Sequence, residues 1–162
     1  MDLWKMDYNE VLALFRALRL HDVEYVVVGA VALGLNGIVR GTQDLDLFIR
    51  PTPENVARLR RALTAVWPDP AIAEINATDL AGEFGVVNYV PPTGDLSLDL
   101  ISHLGEAFRF DDIEWHELDA GGGVMARVAT PKMLFRMKKD TLRPLDARDA
   151  YMLREQFKIE DA

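Results

Sequence analysis

Two carboxylates one residue apart, Asp44 and Asp46, stand in the segment Asp44-Leu45-Asp46-Leu47-Phe48-Ile49. The chain has sixteen aspartates, so the bare pattern Asp-x-Asp carries little information; chance supplies roughly one or two. The setting carries more. The segment alternates with a period of two and predicts a strand with Leu45, Leu47 and Ile49 on one face and Asp44, Asp46 and Phe48 on the other. Burying two like charges side by side is costly unless a cation neutralises them, and a hard, oxygen-binding ion such as Mg²⁺ meets that need. A half-exposed strand with one face in solvent would show the same alternation. A second segment favours the site. In Leu96-Ser97-Leu98-Asp99-Leu100 the leucines share one face, and Ser97 and Asp99 the other. If the two strands are neighbours, three carboxylates converge. Three such groups can hold two Mg²⁺ roughly 4 Å apart, the geometry of in-line phosphoryl transfer. Asp140, Asp146 and Asp149 lie on polar helical stretches and read as surface or helix-pairing charges.

Upstream, Val28-Gly29-Ala30 ends a β-branched run and precedes a short apolar helix. A glycine between a strand and a helix N-terminus lets phosphate approach the backbone N–H groups, although a glycine there also serves simple turning and packing. Gly29 and Gly34 have the glycine spacing of a P-loop, but Leu35 and Asn36 stand where that motif requires Lys and Ser or Thr. The Walker reading therefore fails.

The same patterning predicts the scaffold around these residues. Asp7 and Glu10 resemble a capping box opening a helix over Asn9–Leu20, with Val11, Leu12, Leu14, Phe15 and Leu18 at helical spacing. A buried strand at Tyr25–Val28 follows, then a helix at Val31–Leu35 stopped by Asn36-Gly37. Thr52-Pro53 is a cap-plus-proline start for a helix whose buried stripe is Val56, Leu59, Leu63 and Val66. A short strand is expected near Ala71–Ile75. Val86–Val90 and Leu96–Ser102 predict an antiparallel pair joined by a proline- and glycine-rich turn. Glu114–Leu118 and Met125–Ala129 predict a second hairpin around Gly121–Gly123, a turn long enough to form a loop at the rim of a cleft. Thr130-Pro131 opens a helix to about Asp140, and a last helix spans about Leu145 to Phe157. With no repeats and no linker, residues 1–162 read as one α+β domain, its core at about 22–129 and its C-terminal helices at about 131–157.

Composition bounds the partners. The length and 49% hydrophobic content fit one globular domain with a sizeable core. No run reaches the 18 or so apolar residues that span a bilayer, and Met1–Leu12 mixes charges with apolar residues, unlike a secretory leader. The absence of cysteine excludes disulfides and thiolate zinc sites, so a cytoplasmic location is expected. The net charge of −8, from 18 basic and 26 acidic residues, argues against a long, sequence-independent grip on nucleic acid. A small contact with an RNA end needs only a local basic patch. His21, His103 and His116 show no metal-ligand spacing, and Trp4, Trp67 and Trp115 read as packing residues.

The order strand, Gly29, helix, Arg40-Gly41-Thr42-Gln43-Asp44-Leu45-Asp46-Leu47, and then Asp99 on a later strand resembles the signature of the DNA polymerase β-like nucleotidyltransferases. The similarity spans about Tyr25 to Leu153. It looks closest to the minimal prokaryotic branch of AbiEii-type and MenT-type toxins. That branch tends to carry a Thr-Pro helix start with a lysine, then Arg-Pro-x-Asp-x-x-Asp; here these are Thr130-Pro131, Lys138 and Arg143-Pro144-Leu145-Asp146-Ala147-Arg148-Asp149. One residue departs. The family's second motif position is usually Gly or Ser, and here it is Ala30, so a phosphate-binding hydroxyl is missing while the backbone N–H remains.

The resemblance implies a nucleotidyltransferase fold, with a mixed or antiparallel sheet flanked by helices. It implies that Asp44, Asp46 and Asp99 hold a two-metal Mg²⁺ site, and that Gly29 and Ala30 offer backbone donors to an NTP. Arg40, Thr42 and Lys138 become nucleotide-binding candidates, because a transferring phosphoryl group needs cationic stabilisation. Lys138 sits in Arg136-Met137-Lys138-Lys139, which is also the composition of a solvated helix face. The implied reaction moves a nucleoside monophosphate to an acceptor hydroxyl on tRNA or another RNA end, a protein or a small molecule such as an aminoglycoside. The resemblance further implies a possible cognate antitoxin and no membrane partner. The alternative is a nucleotide- or protein-binding module without turnover, which Ala30 favours and the carboxylate triad opposes.

Overall fold

The computed structural model describes residues 7–38, 41–104, 107–138 and 144–159, and within the last helix the side chains from Arg148 onward. Helix α1 (Tyr8–Leu20) buries Val11, Leu14, Phe15 and Leu18, the stripe its periodicity predicts. Its start differs from a capping box. The Asp7 carboxylate accepts from the Asn9 N–H, but Glu10 does not reach back to the cap; it accepts instead from the Trp67 indole N–H at 2.6 Å. The tertiary contact outcompetes the local one, tying α1 to the end of α3 (Pro53–Val66).

Strands β1 (Tyr25–Val28), β2 (Asp44–Ile49), β3 (Val86–Tyr89), β4 (Ser97–Ile101), β7 (Trp115–Asp119) and β8 (Met125–Ala129) form one six-stranded sheet. Its order is β3-β4-β2-β1-β8-β7. The β2–β4 and β1–β8 pairs are parallel, and the other pairs are antiparallel. Both expected hairpins form. A small separate ladder joins β5 (His103–Leu104) to β6 (Phe108–Arg109). Strand β1 is buried on both faces, as its run of valines requires.

Thr52 and Thr130 cap their helices as the sequence predicts. The Thr52 hydroxyl accepts from the Asn55 N–H, and that of Thr130 from the Met133 N–H at the start of α5 (Pro131–Lys138). Asn55 is fully buried and latches α3 to the sheet: its oxygen accepts from the Glu24 N–H, and its amide donates to the Glu24 and Arg50 carbonyls. Helix α2 (Gly29–Leu35) follows β1 directly, and α6 (Pro144–Phe157) packs on α5.

One expected element is absent. Residues 70–74 form a 3-10 turn, Pro70–Glu74, rather than a strand near Ala71–Ile75. Asp69 caps it through the Ala71 N–H and Pro70 fixes its first φ, so local Asp-Pro chemistry overrides the alternating alanines and isoleucines. The short helix α4 (Ala77–Leu80), capped by Asn76, follows. The expected end of α5 near Asp140 lies outside the described residues.

Candidate active site

The sheet register brings the two carboxylate strands together. Strands β2 and β4 are parallel neighbours with Asp46 opposite Asp99 and Asp44 opposite Ser97. Paired residues in a sheet point to the same face, so Asp44, Asp46, Ser97 and Asp99 share one. That face is covered at one end and open at the other: Phe48 is fully buried, Asp46 is half-buried and Asp44 is exposed.

The Asp46 and Asp99 carboxyls lie within hydrogen-bonding reach of each other. Burial, chiefly, then repulsion from Asp99, the hydrogen bond between the two and the Asp44 charge push the Asp46 carboxyl up to about 7; the Lys138 ammonium pulls the other way. Asp44 stands beside this pair and does not close on it: among the described residues no three acidic or imidazole side chains gather tightly enough to form a ready-made metal cage.

Gly29 is required by this packing. It has φ of +72°, and a Cβ built on it would lie 2.0 Å from Oδ2 of Asp46. The Asp46 carboxylate therefore lies against the turn between β1 and α2. Ala30 is buried just behind it. Thr42 is engaged locally: its hydroxyl accepts from the Asp44 N–H at 3.0 Å and lies 3.2 Å from the Asp44 carbonyl, fixing the start of β2. Arg40 lies outside the described residues.

Lys138 is not on a solvated helix face. Its side chain is 12% exposed and its Nζ lies 3.3 Å from Oδ2 of Asp149 on α6, itself 3% exposed. The charge is thus held within electrostatic reach of Asp46. Asp149 serves as a helix-pairing charge, buried rather than superficial. Asp140 and Arg143 lie outside the described residues, as does the Asp146 side chain.

Asn88 on β3 escapes the sequence reading. Its amide N–H groups donate to Asp99 Oδ1 at 2.9 Å, Ser97 Oγ at 3.0 Å and the Leu98 carbonyl at 3.2 Å. It fixes the Asp99 carboxylate from the side away from Asp46. The signal available in the sequence was an amide within a valine-rich strand, where asparagine is disfavoured.

Other features lie elsewhere. The turn holding Gly121–Gly123 sits beyond Met125, at the opposite end of β8 from the level of Gly29, and is no rim of this site. Asp119 ties it by accepting from the Gly121 and Gly123 N–H groups. Two open grooves, of about 740 and 840 Å³, run along α1 at this turn and along α3, and neither touches the carboxylates. The Nε2 atoms of His103 and His116 pair with the Gly82 carbonyl and the Asn36 amide. Trp67 is buried, and Trp115 lies under Arg127. Among the described residues no helix is long and apolar enough to cross a membrane.

This combination of mixed sheet, flanking helices and paired strand carboxylates is a nucleotidyltransferase-like fold. The chain is similar to the crystal structure of a "putative nucleotidyltransferase", TM1012 of Thermotoga maritima. The TM-score is 0.54 at 13% identity, covering 93% of this chain and 92% of that one. No family model matches the sequence, and no curated protein does.

Proposed function

We propose that the protein is a Mg²⁺-dependent nucleotidyltransferase moving a nucleoside monophosphate from an NTP to an acceptor hydroxyl. The observation that carries this reading is the facing Asp46–Asp99 pair, packed against the Gly29 turn with Lys138 within electrostatic reach. The donor set suits the ion: hard carboxylate oxygens crowded side by side, whose mutual repulsion a cation would relieve. Asp44, Asp46 and Asp99 would hold Mg²⁺, which when bound supplies Lewis-acid polarisation of the α-phosphate and lowers the pKa of the acceptor hydroxyl.

The chain's own residues do the remaining work. Gly29 and Ala30 present backbone N–H groups beside Asp46. Lys138, held by Asp149, supplies positive charge to the phosphates as negative charge develops on them in the transition state. Arg40 and Thr42 complete the nucleotide-binding set, Thr42 by fixing the start of β2. Asn88 holds Asp99 in the orientation that receives the acceptor. The reaction needs NTP, which fits a cytoplasmic protein.

The test is Mg²⁺-dependent labelling with each α-labelled nucleotide, with and without total tRNA. Transfer is expected from the wild type and not from Asp46→Asn or Asp99→Asn; equal labelling by all three refutes the assignment. A second reading, a nucleotide-binding module without turnover, is favoured by Ala30. Calorimetry would then show Mg–NTP binding with no labelled product. A toxin role with a cognate antitoxin is supported by Thr130-Pro131, Lys138 and the Arg143–Asp149 stretch. Induced expression should arrest growth for the wild type and not for Asp46→Asn; arrest by both would sink the toxin role.

A further inference from the structure

The two edges of the sheet are guarded differently. Strand β7 ends one side and carries Glu117 and Asp119 among its few residues. Strand β3 ends the other, and among the described residues no strand pairs with its outer side. From Phe84 to Gly94 the strand and its flanks contain no charged residue. An unpaired edge is a template for another strand, and proteins that keep one free place charges along it, lysine above all. Here the side chains are apolar and open instead: Val86 is 44% exposed, Val90 60% and Phe84 84%.

The backbone of β3 restricts what can pair with it. The Gly85 carbonyl accepts from the Ser102 N–H, and Val87 and Tyr89 stand opposite Leu100 and Leu98. Hydrogen-bonded residues alternate along an antiparallel pair. Gly85, Val87 and Tyr89 therefore turn their backbone groups to β4, while Val86, Asn88 and Val90 turn theirs outward. Those three are evenly spaced about Asn88. A second β3 laid antiparallel on the first, Asn88 against Asn88, sets outward groups against outward groups. Val86 then faces Val90 in both halves, and Val87 faces Tyr89, which is the self-complementarity that a twofold interface requires. About six backbone hydrogen bonds would close the ladder. Just beyond it, the exposed Phe84 comes alongside Pro92, itself exposed. The flanking acids are placed unequally about Asn88, so this register matches Glu83 with Thr93 and Asp95 with Ala81. No like charges face each other, as a stable cross-strand pairing needs.

We infer that the outer edge of β3 is a homodimer interface, to which a second copy of this chain adds its own β3 about a twofold axis at Asn88. The axis stands perpendicular to the sheet, so the two six-stranded sheets become one and both carboxylate faces look to the same side. The two β4 strands, each with its Asp99, lie three strand spacings apart, roughly 14 Å. Asn88, whose amide holds Asp99, sits at the centre of the interface, and the second copy covers that flank of the site. The pairing depends on the edge alone and stands whether or not the protein transfers nucleotides.

The absence of cysteine from the chain allows a test of the register itself. Directly opposed residues in a hydrogen-bonded antiparallel pair have Cα atoms about 5.5 Å apart, within the span of a disulfide. Val86 of one copy lies opposite Val90 of the other, but roughly 14 Å along the ladder from the other copy's Val86. Under mild oxidation, a mixture of the Val86→Cys and Val90→Cys proteins should cross-link about tenfold more than either protein alone, read on a non-reducing gel. In analytical ultracentrifugation the wild type should form a reversible dimer by about 100 µM, and Val86→Lys with Val90→Lys should weaken it about a hundredfold, since lysine then meets lysine in both halves. Both positions are exposed, so the doubly substituted chain should melt with the dilute wild type. A wild type that stays monomeric, a dimer that the two lysines leave intact, or a mixture that cross-links no more than its components overturns the inference.

Discussion

Replacing Asp46 by asparagine should stabilise the metal-free protein at pH 8 and, by less than half as much, at pH 5. The carboxyl moves from an ordinary value of 3.8 in the unfolded chain to about 7 in the fold. Between those values the native state holds a proton that the unfolded state has released, so wild-type stability falls as pH rises from about 4 through about 7. At 1.36 kcal/mol for each tenfold, the full displacement corresponds to on the order of 4 kcal/mol. Solvent at the open end of the site and the opposing Lys138 charge screen part of it, leaving about 2 kcal/mol. Asparagine keeps the shape, donates a hydrogen bond to Asp99 and carries no charge. For a domain of this length about 2 kcal/mol corresponds to roughly 4–8 °C in Tm.

The assay is thermal unfolding in EDTA at pH 5 and pH 8 for both proteins, comparing them at each pH so that other titrating groups cancel. Asp46→Asn should melt higher than the wild type at pH 8 by roughly two to three times its gain at pH 5. Millimolar Mg²⁺ at pH 8 should then raise the wild type and not the variant, because an ion bound only by the native state stabilises it by mass action. A variant that melts no higher at pH 8, or gains equally at pH 5, refutes the account of Asp46 as a charge crowded by burial and Asp99.

Gly29→Ala combines a left-handed backbone with a Cβ at 2.0 Å from Asp46; it should lose about 2–3 kcal/mol in denaturant unfolding and abolish nucleotide labelling even where it folds. Lys138→Met removes the ammonium that faces the buried Asp149 carboxylate and should cost about 3 kcal/mol, while Lys138→Met with Asp149→Leu should recover most of it; labelling should be lost in both, measured beside the melts. Asn55→Ala removes three part-buried hydrogen bonds and should cost about 2–3 kcal/mol in urea unfolding, with little change in labelling, since it lies at the covered end of β2.

What could be read in the sequence was whatever local chemistry decides. The parity of Asp44, Asp46 and Asp99 on their strands is a covalent fact of alternation, and the Thr52-Pro53 and Thr130-Pro131 caps depend on residues within one helical turn. Where several local signals competed, the reading failed: Asp69-Pro70 starts a 3-10 turn in a stretch whose alternation suggested a strand. Contacts between distant segments left weaker traces. Glu10 meets Trp67 across 57 residues and abandons its cap, and nothing near Glu10 announces this. Asn88 meets Asp99 because the β3–β4 turn sets their register, and Lys138 is drawn inward by Asp149 on another helix. A helical lysine beside Arg136 and Lys139 has the local appearance of a surface charge, and only α6 makes it otherwise.

The two parallel pairings in an otherwise antiparallel sheet explain why these residues meet at all. Because β2 and β4 run parallel, both start at the same end of the sheet, and the carboxylates near their starts, Asp46 and Asp99, become neighbours. Had that pair been antiparallel with the same central pairing, Asp44 and Ser97 would lie at opposite ends. Because β1 and β8 also run parallel, both finish at this same end. The helices they lead into, α2 with Gly29 at its start and α5 with Lys138 at its finish, therefore leave the sheet beside the carboxylates and pack on each other. Anionic groups come from strand starts, while the backbone donors and the lysine come from helices attached to strand ends. The lysine needs one further element: α6 brings Asp149 to hold it, which is why a helical pair outside the sheet belongs to the site as much as the strands do.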